Sequence, residues 1–403
     1  MGRRRARVWA PLGIALAACV AICVPGAGAV AQQIGEALAA RLDEAQTRAY
    51  VLYLRARAQH VQASDAYWRT VEEMREARRR KRSAGQPFTQ ADYVAVQPPQ
   101  YRGPPLPPDV AKIIAAERPS EPPDEAPVVA DFLAHARKQY GFVPSPTTEA
   151  AFKRRYAEEA LALGLTKDQV VRVYALETGG RGTYDMQAGI DPETRKGRPI
   201  SSALGYAQLL GANSIDELVK HGDGFVARLS ALARSAATPR ARAELSAKAV
   251  AVRRMQRAAR AVPNKWSEHV ALARTPKGLG IHALNLDADI GPWLQAIKLR
   301  GIREHAEKAG RANLSGAEIE LMNLAGPQTG LDMMEPAGRN VPTANFFTEK
   351  AYNRNPIVKD RTSAELLAAL EARMEQNLVK PGSQEFARAF DAALAVRSRA
   401  ARR

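Results

Sequence analysis

TKDQVVRVYALETGG, residues 166–180, sets the reading of the rest of the chain. Thr166 and Gln169 have the spacing of a capping box, in which each side chain takes a backbone N–H left unpaired at a helix start. Val170, Val173, Tyr174 and Glu177 then fall at i, i+3, i+4 and i+7. One helical face therefore carries three apolar side chains and ends in a carboxylic acid. Gly179-Gly180 predicts the stop directly after it. On the inner side of a last turn, a carboxyl group loses hydration and meets the negative end of the helix dipole, and both effects raise its pKa. An acid that keeps its proton near neutral pH is what a departing ether oxygen requires. From this segment alone, a Glu177 turned out to solvent at a frayed end is the alternative.

The same start signal recurs at Ser315 with Glu318 and at Thr362 with Glu365, each ahead of an apolar-periodic stretch. β-branched alternation is almost absent, so residues 131–376 are predicted to form an all-α domain. Within it, residues 223–262 are rich in Ala and Arg and read as an inserted helical pair, and residues 377–403 as a basic helical tail. Residues 32–96 read as a helical N-terminal region. Over 34–80 the spacing predicts one long helix or a hairpin, with a seam at Ile34, Leu38, Leu42, Ala45, Ala49 and Leu52 that needs a partner helix. Arg78-Arg79-Arg80-Lys81-Arg82 closes this region and reads first as a solvated, dipole-favoured end, and second as a contact for membrane or wall anions. Ten of the 26 prolines lie between Pro98 and Pro127, which makes residues 97–130 a Pro-rich linker or strap.

At the front, Arg3, Arg4, Arg5 and Arg7 precede an apolar run to Val24, and Ala29-Val30-Ala31 follows, the pattern of a signal peptide over residues 1–31. The expectation is export to the periplasm or cell envelope, starting at Gln32. Leu16-Ala17-Ala18-Cys19 leaves open a lipoprotein anchored at Cys19, and an uncleaved anchor is a third reading. Cys19 and Cys23 are the only cysteines, so a chain cleaved at Ala31 relies on burial and not on disulfides. An apolar fraction of 46% is ample for a core. The formal charge is +17, and loss of the four arginines of residues 1–31, which contain no acid, leaves +13. For an exported chain this means attraction to polyanionic envelope surfaces; no reader motif points to nucleic acid.

The six histidines show no zinc-site spacing. Asp287-Ala288-Asp289-Ile290-Gly291 starts like a calcium loop but lacks the later ligands, and reads as a helix-start cluster before Pro292-Trp293. No metal or other cofactor is expected. Trp266, Trp293, Phe346 and Phe347 suit the core better than sugar stacking.

Three blocks stand in order: Glu177-Thr178-Gly179-Gly180, then SSALGYAQLL at 201–210, then LMNLAGP at 321–327. Together they resemble the soluble lytic transglycosylases, whose fold is lysozyme-like and α-helical; the likeness covers roughly residues 131–376. It implies that Glu177 is the catalytic acid and base, and that Gly205, Tyr206, Gln208, Asn323 and Gly326 line the groove for peptidoglycan glycan strands. It also implies non-hydrolytic cleavage between N-acetylmuramic acid and N-acetylglucosamine, closing a 1,6-anhydro ring. Several departures stand out. Glu177 and Gln208 are far apart for the family, Tyr206-Ala207 replaces Leu-Met, and Leu324 is an extra residue in the third block. Met322 occupies the place of a tyrosine whose hydroxyl would be expected to bond the acid, so Tyr174, Tyr184 or Tyr206 would have to supply one. No block places a second acid. Asp185, Asp191 and Glu193, in the loop after Glu177, are the candidates for a hydrolytic muramidase, and a wall-binding scaffold without turnover is the alternative from another class. In either case the helical N-terminal region would face a membrane surface or an envelope assembly.

Overall fold

The computed structural model describes residues 38, 40–117 and 126–402; the expected signal peptide over residues 1–31, with Cys19, and Ile34 of the N-terminal seam lie outside them. Among the described residues all regular structure is helical and there is no strand, as an all-α chain requires. In chain order the α-helices are α1 (Glu44–Ser83), α2 (Pro108–Glu117), α3 (Val129–Tyr140), α4 (Glu149–Ala162), α5 (Lys167–Glu177), α6 (Gly211–Ser235), α7 (Pro239–Arg260) and α8 (Trp266–Ala273). They continue with α9 (Pro276–His282), α10 (Gly291–Lys308), α11 (Gly316–Ala325), α12 (Pro327–Met334), α13 (Pro336–Arg339), α14 (Glu349–Arg354), α15 (Ser363–Leu378) and α16 (Pro381–Ala401). Among the described residues, none is long and apolar enough to cross a membrane.

Local signals set these boundaries. At α5, Gln169 N donates to Thr166 Oγ1 at 3.2 Å and Thr166 N to Gln169 Oε1 at 3.1 Å. The boxes at Ser315–Glu318 and Thr362–Glu365 close the same way ahead of α11 and α15. A fourth, Asp43–Gln46, went unread in the sequence. It starts α1 at Glu44, inside the proposed seam, and Leu52 of that seam is 60% exposed.

Two compact units divide the chain: the described residues of Met1–Ala63 with Gln100–Glu121, and those of Ser64–Pro99 with Pro122–Arg403. In the first, Gln46 Nε2 donates to Asp109 Oδ2 at 2.7 Å, and Tyr101 meets the edges of Tyr53 and His60. The stretch read as a linker therefore carries a helix, α2, with Val110 buried.

The second unit has three apolar clusters. One joins α3, α6, α7, α9 and α10; α6 and α7, which pack on each other, span the expected helical pair of 223–262, with α6 starting earlier, at Gly211. Another joins α4, α5, α10, α11 and α16. The segment expected as a basic helical tail is a helix, and it is packed into this core: Phe386 and Phe390 of α16 are buried, and Phe386 packs against Tyr156, Tyr174 and Tyr206. The basic residues of α16 hid an apolar stripe. The third cluster gathers Tyr67 and Val71 of α1 with α11, α15 and the segment around Phe347. The basic run at the end of α1 is not wholly solvated, since Arg78 is 5% exposed. Asp287 holds the turn that leads into α10: its Oδ1 accepts the N–H groups of Asp289 and Ile290, and Lys248 Nζ lies 2.7 Å from its Oδ2 and 2.6 Å from Asp289 Oδ2.

Candidate active site

Helices α5, α11 and α15 pack on one another pairwise, and the end of α5 brings Glu177 to this junction. The helix stops as expected. Gly179 and Gly180 have φ of 62° and 72°. At Gly180 a Cβ would also run into Asn377 O and Lys380, so the turn between α15 and α16 closes over the stop only because the residue is glycine.

Glu177 does not stand alone. Its carboxyl group hydrogen-bonds that of Glu320, in the middle of α11. Glu320 is 2% exposed, while Glu177 is half-buried. Asn323, one turn on, extends Nδ2 towards Glu320 Oε2 at 3.4 Å. Burial pushes the Glu177 carboxyl up, opposed by the bond from Glu320 and by the charge of the exposed Arg373 on α15. Burial also pushes Glu320 up, and the charge and hydrogen bond of Glu177 push it further, with Asn323 opposing. Two carboxyl groups in contact cannot both ionise cheaply. The pair keeps one proton between them well above the usual carboxylate range, and the more exposed Glu177 is where a proton can leave.

The remaining predicted residues are distributed elsewhere. Met322 is wholly buried among Ile319, Leu331 and the side chains of α5, so the tyrosine position of the resemblance is a core position here. Neither Tyr174 nor Tyr206 gives its hydroxyl to Glu177. Tyr174 Oη donates to Gly182 O at 2.8 Å, and Tyr206 Oη to Glu149 Oε2 at 2.5 Å. Tyr184 stacks on Phe152, and its backbone N–H goes to Glu149. Tyr206 is 1% exposed, which corrects its assignment to the groove. Gly205 has φ of 74°, and a Cβ there would strike the Gln295 amide; its need for glycine comes from Gln295 and the turn, not from an approaching sugar. Gln208 Nε2 donates to Gly205 O at 2.8 Å, pinning the loop, while its Oε1 is buried without a partner. Gly326, between α11 and α12, has open space where a Cβ would stand.

The loop carboxylates are otherwise engaged. Asp185 accepts from Thr183 Oγ1 at 2.7 Å and pairs with Arg195, which holds it below the usual range against the opposing effect of burial. Asp191 caps its own turn through Thr194 N at 2.7 Å and Glu193 N at 3.0 Å. Glu193 lies 3.7 Å from Arg181. A cleft of about 680 Å³ lies along α3, with Leu133, Phe142, Pro144, Tyr184 and Asp185 in its walls; neither glutamate of the pair lines it.

Sequence reading missed Glu320 and Arg373. The i, i+3 spacing of Glu320 and Asn323 was the available signal, since it puts both on one face of α11. No protein-family model matches the sequence, and no curated protein or solved structure matches it.

Proposed function

We propose that the chain is an exported peptidoglycan lytic transglycosylase in which Glu177 is both acid and base. The observation that carries this reading is the carboxyl pair: a half-buried Glu177, raised by burial, in contact with the buried Glu320, so that the two hold one proton between them. In the first step the Glu177 proton passes to the glycosidic oxygen as the C1–O bond of N-acetylmuramic acid breaks. The resulting doubly ionised pair is a strong base. In the second step it takes the proton of the C6 hydroxyl as that oxygen bonds C1, closing the 1,6-anhydro ring and restoring the shared proton. No water is consumed.

Two glycosidase carboxylates flank a sugar at about 5–9.5 Å, leaving room for a nucleophile or a water. Glu177 and Glu320 touch each other instead, so Glu320 serves the proton and not the sugar. The hydrolytic reading is also weakened because Asp185, Asp191 and Glu193 are engaged in turns and ion pairs. Binding to the wall without turnover is the second reading, favoured by the absence of a hydroxyl from Tyr174 or Tyr206 on the acid. Incubation with purified sacculi and mass spectrometry of the released fragments separates the three. Anhydromuropeptides are expected; reducing muramic ends mean hydrolysis, and sedimentation with sacculi without release means binding alone.

A further inference from the structure

Arg75, Arg78, Arg79 and Arg82 fall at i, i+3, i+4 and i+7 on α1, a spacing that stacks four guanidinium groups along one face. That face forms one wall of a cleft of about 230 Å³, whose opposite wall is Thr329 and Asp332 of α12 with Asn345, Phe346 and Thr348. Three of the cations have acidic neighbours. Arg75 and Arg79 pair with Glu72 and Glu76, and Arg82 with Asp332. Arg78, the most buried of them, does not share this arrangement. Its Nη1 donates to Asp92 O at 2.7 Å and its Nη2 to Asn345 O at 2.8 Å, both neutral carbonyls, and its guanidinium stacks on Tyr93 at 4.4 Å.

A guanidinium keeps its charge in proteins, so one desolvated cation stands here without a carboxylate in contact. Burial and the neighbouring Arg75 and Arg82 weaken its hold on the proton, against Tyr93 and Asp332. The cavity is smaller than a site for a glycan segment. Its size, the fork geometry of several arginines and the hydroxyl groups of Thr329 and Thr348 match a tetrahedral oxyanion.

We propose that this cleft is a binding site for a phosphate group, carried by a small soluble phosphate or by a phospholipid headgroup. The site is separate from the carboxyl pair and does not rest on the glycan reading.

The test is calorimetric titration of the whole exported chain with inorganic phosphate at constant ionic strength, with chloride as reference, alongside Arg79→Gln/Arg82→Gln. These two arginines are partly exposed and leave the backbone bonds of Arg78 in place. Saturable phosphate binding, weakened about ten-fold or more in the double variant, is expected. Flotation with phosphatidylcholine vesicles doped with phosphatidate distinguishes the sources: capture assigns the headgroup, and phosphate binding without capture assigns a soluble phosphate. Phosphate that binds no better than chloride together with no capture of vesicles overturns the proposal, as does binding that the double variant retains in full.

Discussion

Two buried polar clusters occupy different cores of the second unit. Around His282, Nε2 faces Ser202 O at 2.6 Å and Nδ1 faces Ser214 Oγ at 2.9 Å, while Asn285 Nδ2 donates to Ser214 Oγ at 2.8 Å. The carbonyl assigns the ring proton to Nε2, so Nδ1 accepts from the serine. Serine, histidine and asparagine are each at most 1% exposed. Their residue types would suit a nucleophile, but no substrate atom can reach Ser214, and the cluster braces α6 against α9. Around Glu177 the chemistry is left unresolved: two acids share a proton, and one keeps an open side. A polar cluster closed inside the core, here with only Asn285 Oδ1 left without a partner, is a brace. One that is left with a surplus proton at a partly open helix end is able to react.

The sharpest way to break this contrast is Glu177→Gln. If the pair is the reactive cluster, release of anhydromuropeptides falls about 10³-fold, while the folded state is unharmed because a neutral amide of the same shape replaces one half of a pair that already shares a proton. Quantitative mass spectrometry of digested sacculi and thermal unfolding read the two quantities. Undiminished release would make the pair another brace.

His282→Ala should do the reverse. It opens a cavity beneath Phe132, whose ring meets the imidazole at 4.9 Å, and leaves Ser214 without its acceptor. A loss of about 3 kcal/mol in urea unfolding is expected, with activity per folded molecule unchanged.

The clusters also respond to pH with opposite signs. Burial takes His282 from 6.5 down to about 4. The unfolded chain binds that proton first, so stability falls as pH drops from 6.5 to about 4, by about 3 kcal/mol. The carboxyl pair is raised, so the folded state holds a proton the unfolded chain has already released. Its contribution therefore declines as pH rises above 4.5 through the raised value. Chemical denaturation across pH should show the first slope vanish in His282→Ala and the second in Glu177→Gln/Glu320→Gln.

Sequence made one side of this contrast legible and hid the other. Helix starts at Thr166, Ser315 and Thr362 could be read because a capping box is local, complete within four residues. Glu177 could be read because periodicity gave its face and two glycines its helix end. Glu320 could not, since its partner lies on a helix remote in sequence and its own neighbours, Ile319, Leu321 and Met322, look like plain core. Tyr206 and Gly205 misled for the same reason: a block that resembles a sugar groove can equally be a turn pinned by Gln295 and Glu149. The Phe386–Phe390 stripe of α16 was masked by the basic residues around it.

The finest test of the contrast is Glu320→Gln, because it keeps the shape of α11 and removes only the second acid. The pair then loses the repulsion between two carboxylates that holds its last proton, and an amide donor takes the place of the Glu320 carboxyl beside Glu177, while the burial of Glu177 and Arg373 are unchanged. The alkaline limb of the pH–rate profile, where the acid has lost its proton, should move down. At neutral pH that lowers kcat, and lowering the pH should restore most of it. A fall in kcat with the limb unmoved would make Glu320 a support for α11 and leave Glu177 to hold its proton by burial alone. Glu320→Asp, which restores an acid on a shorter stem, should return the limb part of the way.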